Sequence, residues 1–82
     1  MDEKTPMRVV FGMVEGEPIA FLLDAPANPG FVLSYMTVGQ HAEASEEFFY
    51  HCKLAKPKQY VDLLNELEKI GYEVKDITSW MK

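Results

Sequence analysis

The sequence is short of cysteine, of basic residues and of long hydrophobic runs. Its single cysteine, Cys52, excludes an internal disulfide, so we expect a reducing compartment. Eight Lys and Arg residues against thirteen Asp and Glu give a net charge of −5, without the basic stripe that nucleic-acid binding requires. The longest apolar runs, such as Ile19–Leu23, are too short to cross a bilayer, and residues 1–6 do not resemble a signal peptide. We therefore expect a cytoplasmic protein that binds neither nucleic acid nor membrane.

Motifs of catalysis and metal binding are missing as well. His51 and Cys52 are adjacent, so on a strand their side chains would point to opposite faces, and the Cys and His spacings of zinc sites do not occur. No serine lies in a Gly-x-Ser-x-Gly turn, and the five glycines are too scattered for a phosphate-binding loop. A metal site would need His41 together with glutamates of residues 43–47, which are more often simply solvated. We expect no metal, no cofactor and no catalytic residue, so an enzyme is the less favoured interpretation.

Apolar residues are abundant instead. Of the 82 residues, 48% are hydrophobic. A chain of this length makes one domain. We expect residues 1–6 and 79–82 to be loose ends of that domain. Short apolar segments separated by turns predict antiparallel strands, with the last one at a sheet edge: Met7–Val14, Ile19–Asp24, Phe31–Val38 and Tyr72–Thr78.

The segment between the third strand and the last helix is ambiguous. Residues 40–47 favour helix by composition, whereas Phe48–Leu54 favours a strand. We predict a short helical turn followed by a fourth strand. The alternative that stays open is a helical stripe through Ala44, Phe48, Cys52 and Ala55.

Helical periodicity is clearest in Pro57–Ile70. Pro57 suits the first helical position and Gly71 the position after the last turn, while Glu66 falls on the face that we assign to solvent. The buried stripe is predicted to comprise Tyr60, Leu63, Leu64, Leu67 and Ile70. The fold class is thus α+β: an antiparallel sheet of four to five strands with one long C-terminal helix on one face, in the order β-β-β-(short turn)-β-α-β.

Both faces of this predicted sheet are apolar. In the first strand, Val9 and Phe11 point to one face and Val10 and Val14 to the other. One helix covers one face, and the cheapest cover for the second is another copy of the chain in a twofold dimer. Another protein is a further candidate. The alternatives within the chain are a helical segment at 40–55 or the tail with Trp80.

The candidate binding residues are Ser34, Tyr35, Gln40 and His41. They flank the point where the third strand breaks at Gly39. They form either a small polar pocket at a strand end or a structural joint that fixes the turn, and the joint is favoured because most side-chain hydrogen bonds go to backbone or water.

The same residues carry a resemblance to a family of small uncharacterised bacterial proteins. The matching segments are Ile19-Ala20-Phe21-Leu22, Ser34-Tyr35-Met36-Thr37-Val38-Gly39-Gln40-His41 and the Pro-led helix start Pro57-Lys58-Gln59-Tyr60. Thr37 stands where that family tends to have His, and Leu23-Asp24 where it tends to have Pro. Several members resemble products of mobile elements or phages. The resemblance implies a single domain with these boundaries and no activity.

The favoured function is a non-enzymatic protein-interaction module that self-associates through its second sheet face. One alternative is a phage-type or mobile-element inhibitor that uses acidic surface against a nucleic-acid-binding enzyme. The other is a small-ligand binder or minor enzyme centred on His41, which requires a pocket there.

Overall fold

A computed structural model describes residues 6–36 and 39–81, without the side chain of Gln40. The expected loose end at 1–6 lies outside these residues apart from Pro6, as do the predicted end of the third strand at residues 37–38 and the last residue of the chain. The elements in chain order are β1 (Met7–Val14), β2 (Glu17–Leu22), β3 (Phe31–Met36), β4 (Gln40–Ser45), α1 (Glu46–His51), β5 (Lys53–Leu54), α2 (Pro57–Lys69), β6 (Val74–Asp76) and a 3₁₀ helix (Thr78–Met81).

The strands form one sheet with a helix packed against it, which confirms the α+β class. The strand order is β4-β3-β2-β1-β5, and β6 also pairs with β1. All pairings are antiparallel except the short parallel ladder between β1 and β6. The described residues thus contain six strands, rather than the predicted four to five. Their helices are too short or too polar to span a membrane.

The prediction for residues 40–54 placed a helical turn before a strand, whereas the structure has the strand β4 before the helix α1. Residues 40–45 form β4, because pairing with β3 in a hairpin outweighs the helix preference of Ala42 and Ala44. The helix begins only after Ser45, whose Oγ accepts a hydrogen bond from the Phe48 N–H at 3.0 Å. Two glutamates follow in the first turn, where negative charge is favourable. Local capping therefore outweighs the strand preference of the aromatic residues in α1.

The start of α2 at Pro57 is confirmed, and the helix ends at Lys69. At 13 residues it is of ordinary length, so the expectation of a long helix was wrong. Tyr60, Leu63 and Leu67 are buried as predicted, whereas Ile70 is the C-cap and is 49% exposed.

Two apolar clusters occupy the two sides of the sheet. On the first face, α2 covers buried residues of the three central strands: Val9, Phe11, Ala20, Leu22 and Tyr35. On the second face, α1 and Ile77, which precedes the 3₁₀ helix, lie against Val10, Ile19 and Phe21. These three strand residues are at most 5% exposed. The second face is thus covered largely from within the chain. Of the helical alternative for residues 40–55, only 46–51 is helical. Trp80 does not contribute its ring to a core, because its side chain is 67% exposed.

Candidate functional site

Two of the four candidate residues meet on the first face of the sheet. Tyr35 of β3 lies directly opposite His41 of β4 in the antiparallel register. Side chains of directly opposed residues share a face, and the two rings are 4.8 Å apart between centroids. The hairpin between β3 and β4 therefore brings together the Tyr and His that the sequence singled out.

The end of α2 supplies two further side chains to this group. The Tyr35 hydroxyl donates a hydrogen bond to Oε2 of Glu66 at 2.8 Å, and His41 Nε2 lies 2.9 Å from the Tyr72 hydroxyl. Tyr72 is directed there by the helix terminus, where Gly71 has a φ of +117° and the Tyr72 N–H donates to the Leu67 carbonyl. We call Tyr35, His41, Glu66 and Tyr72 the tyrosine cluster.

The electrostatics of the tyrosine cluster suit a structural role. The hydrogen bond to the Glu66 carboxylate raises the pKa of Tyr35, and burial and the negative charge of Glu66 add to the rise. A hydroxyl with a raised pKa stays protonated and donates a stable hydrogen bond. The cluster links the β3–β4 hairpin to the end of α2, and His41 does so through a side chain rather than through loop backbone. This geometry favours the structural interpretation of the Gly-Gln-His corner.

The other two candidates do not join the cluster. Ser34 is 4% exposed, and its Oγ donates to the Ala42 carbonyl at 2.8 Å. It pairs with Phe21, which belongs to the second face, so it lies on the opposite side of the sheet from Tyr35. Gln40 pairs with Met36 through the backbone, and its side chain lies outside the described part of the structure.

Sequence reasoning missed Glu66 and Tyr72. Glu66 was assigned to solvent, yet it is half-buried and accepts the Tyr35 hydrogen bond. It follows the buried Leu63 by three residues, a spacing that places it beside the apolar stripe, and this was the available signal. Tyr72 carried no signal of its own, because its direction depends on the helix end.

A second polar cluster, also missed, joins α2 to the end of the chain. The Tyr60 hydroxyl donates a hydrogen bond to Oδ2 of Asp76, whose Oδ1 accepts the Thr78 N–H at 3.0 Å. Thr78 Oγ1 in turn accepts the Phe11 N–H at 2.9 Å. Burial, followed by the bond to Asp76, raises the pKa of Tyr60 to about 12.

Two cavities lie apart from the tyrosine cluster. One of about 230 Å³ is bordered by Ala55, Tyr60, Thr78 and their neighbours, and one of about 350 Å³ is bordered by Met13, Lys53 and theirs. Neither is lined by Tyr35 or His41, so neither supplies the pocket that a binder centred on His41 requires. Among the described residues, no His, Cys, Asp and Glu side chains gather as metal ligands would.

Exposed aromatic residues lie near the end of β4. No described strand pairs with the outer edge of β4. Phe31, opposite Ser45 at the end of this strand, is 44% exposed, and α1 follows with Phe48 and Tyr50 at 41% and 71%. Phe31 points to the first face, as Leu33 and Tyr35 of the same strand do, whereas α1 lies on the second face. We therefore call only Phe48 and Tyr50 of α1 the aromatic margin of β4.

The comparisons with known proteins leave the family open. No protein-family model, curated protein or solved structure matches this chain significantly.

Proposed function

We propose that this chain is a small, non-enzymatic interaction module that works as a homodimer, and that the interface is the outer edge of β4 together with its aromatic margin. The observation that carries the proposal is the coincidence of an unpaired strand edge with the exposed Phe48 and Tyr50 of the adjoining α1. Protein interfaces are enriched in Phe and Tyr, and unpaired strand edges are ready to accept another strand.

The surface in this proposal differs from the sheet face inferred from sequence. Val10, Ile19 and Phe21 are already buried beneath α1 and Ile77, so they offer no area to a partner. The helix α1 that covers them keeps its own aromatic side chains at least partly exposed. It contains no buried residue, although its Phe49 packs against the cluster beneath it. The excess of hydrophobic residues thus appears at the margin of the sheet rather than on its face.

Exposed apolar side chains also occur away from β4, and Ile70, Trp80 and Met81 are among them. Val61 is 45% exposed on α2, which lies on the first face. Single apolar residues on a surface are normal and need no partner. Val61 therefore serves as a control for the aromatic margin.

Sedimentation equilibrium tests the proposal directly. We expect a species of twice the 9.4 kDa chain mass at micromolar to millimolar protein concentrations. Replacing Tyr50 by Ser should weaken self-association about tenfold, because an aromatic interface residue commonly contributes more than 1 kcal/mol. The Val61→Ser control removes an exposed apolar side chain outside the margin and should leave the association constant unchanged.

Two results would overturn the proposal. One is a monomer throughout the concentration range. The other is an equal effect of Tyr50→Ser and Val61→Ser, which would mean that general surface hydrophobicity, rather than the margin of β4, causes association.

A further inference from the structure

We infer that two copies of the chain pair antiparallel through β4 in a single register, with His41 of each copy opposite Glu43 of the other. This inference rests on the proposed homodimer and specifies how its two protomers meet. It follows from the direction of the main-chain groups of β4 and from the charges along the strand.

The hydrogen-bonding pattern of the β3–β4 hairpin defines which groups face outward. The Glu46 N–H donates to the Gly30 carbonyl at 3.0 Å, directly beyond the Phe31–Ser45 pair. Hydrogen-bonded and non-hydrogen-bonded pairs alternate in an antiparallel ladder, so Ala42 and Ala44 direct their main-chain groups toward β3. The N–H and C=O groups of His41, Glu43 and Ser45 therefore point to the free edge.

One register pairs these outward groups without a charge conflict. If Ala42 lies opposite the partner's Ala42, then His41 lies opposite the partner's Glu43, and the relation is repeated by symmetry. Both residues have outward main-chain groups, as a hydrogen-bonded pair requires. Each Glu43 then faces an imidazole rather than a second carboxylate, so no like charges are directly opposed. Both side chains are exposed, and the Glu43 carboxylate also accepts hydrogen bonds from the Asn28 N–H and side-chain amide of its own chain.

The neighbouring registers are less favourable. One centred on His41 opposes only residues 40–42 of the two β4 strands, instead of residues 40–44. A shift that centres the pair on Glu43 sets two carboxylates directly against each other, which is destabilising. A shift that centres it on Ala44 brings His41 opposite residue 47 of the partner, which lies in α1 and cannot continue a ladder. The register centred on Ala42 alone combines a full ladder with opposed His and Glu side chains.

The symmetry of this pairing has a consequence for the whole dimer. An antiparallel pair of identical strands has its twofold axis perpendicular to the sheet. Both α1 helices then lie on one side of a continuous sheet of twelve strands, and both α2 helices lie on the other. The aromatic margins of the two copies flank the shared edge.

Cysteine cross-linking tests the register. In a non-hydrogen-bonded antiparallel pair the Cα atoms are about 4.5 Å apart, within the range of a disulfide. We expect Ala42→Cys to form an intermolecular disulfide at least about tenfold faster than Glu43→Cys or Ala44→Cys, whose counterparts lie too far apart in this register. The wild-type chain, whose only thiol is Cys52, gives the background rate, and circular dichroism checks that each variant folds.

The outcomes separate the register from the dimer. Fastest cross-linking by Glu43→Cys or Ala44→Cys, or equal rates for all three, in a chain that sediments as a dimer would overturn the register and leave the homodimer standing. A monomeric wild-type chain would overturn both. Amide hydrogen exchange gives a second measurement that needs no substitution: the N–H groups of His41 and Glu43 should gain protection about tenfold or more as protein concentration rises through the dimerisation range. Concentration-independent exchange at these two amides would contradict the register.

Discussion

The two faces of the sheet are covered in different ways. On the first face, α2 contributes Tyr60, Leu63 and Leu67, each at most 6% exposed, and the helix is buried as deeply as the strands beneath it. On the second face, the strand residues are equally buried, but α1 contains no buried residue at all. The helix α2 is therefore part of the core of the first face. The helix α1 covers the core of the second face but remains largely exposed itself.

The difference arises from helix length and periodicity. Thirteen residues provide more than three turns, so side chains at helical spacing form a stripe that inserts fully into the sheet. Six residues provide fewer than two turns, and their three consecutive aromatic residues point around the axis. The first face should therefore dominate stability, and the second should supply exposed surface.

The largest expected effect is at the centre of the first face. Replacing Leu67 by Ala should lower the free energy of unfolding by about 2–5 kcal/mol, because Leu67 is fully buried and its removal leaves a cavity. Phe49→Ala on α1 should cost less than half as much, although it removes more atoms, because Phe49 is only half-buried. Urea-induced unfolding of the two variants compares the faces directly. Equal losses would show that α1 contributes to the core as strongly as α2.

A smaller effect is expected where α1 leads into β5 beside the second face. A Cβ at Gly12 would lie 2.8 Å from Cys52 Sγ, 3.1 Å from the Lys53 carbonyl oxygen and 3.2 Å from the Phe21 ring. Gly12→Ala should therefore cost about 1–3 kcal/mol through overcrowding.

The Cys52→Ala substitution provides a test of that cause. Combined with Gly12→Ala, it removes the nearest atom and should recover part of the loss, while the Lys53 carbonyl remains close. Additive losses in a double-mutant cycle of urea unfolding would exclude the contact with Cys52 as the source of the effect.

Much of the first face was predictable from sequence. The β1 segment, the start of α2 and the burial of Leu63 and Leu67 all follow from periodicity and turn residues. These elements are long enough for a pattern to repeat. Ile70 departs from the stripe because it lies at the cap, where the chain turns away from the sheet.

The second face was less predictable, because its cover depends on local competition. Residues 40–51 contain helix-favouring residues where β4 forms and strand-favouring residues where α1 forms. The decisive signals were the strand partner of β4 and the cap at Ser45, and only the second is visible in sequence. In the candidate site, Tyr35 and His41 were found because they flank one hairpin, and Ser34 could have been excluded because strand neighbours point to opposite faces. Glu66 and Tyr72 join them through tertiary structure.

The smallest expected effect under ordinary conditions concerns the second polar cluster. In this cluster α2, on the first face, is hydrogen-bonded to a residue beside the second face. The hydroxyl of Tyr60 on α2 donates to Asp76, just before Ile77 of the second-face cluster. The pKa of Tyr60 is raised to about 12 in the folded chain, against about 10 in an unfolded one. Because the folded state holds the proton more tightly, this contribution to stability is complete below pH 10 and is lost as pH rises through 12.

A comparison with Tyr60→Phe isolates this residue from other groups that titrate in the same range, Tyr35 among them. The variant loses the hydrogen bond to Asp76 at every pH, so its Tm should be lower at pH 8. Between pH 10 and 12 the wild-type Tm should fall more steeply than that of the variant, and the two curves should converge. Thermal melts followed by circular dichroism give both curves. Parallel curves across this window would mean that Tyr60 ionises alike in the folded and unfolded chains and that its link to Asp76 does not hold the proton.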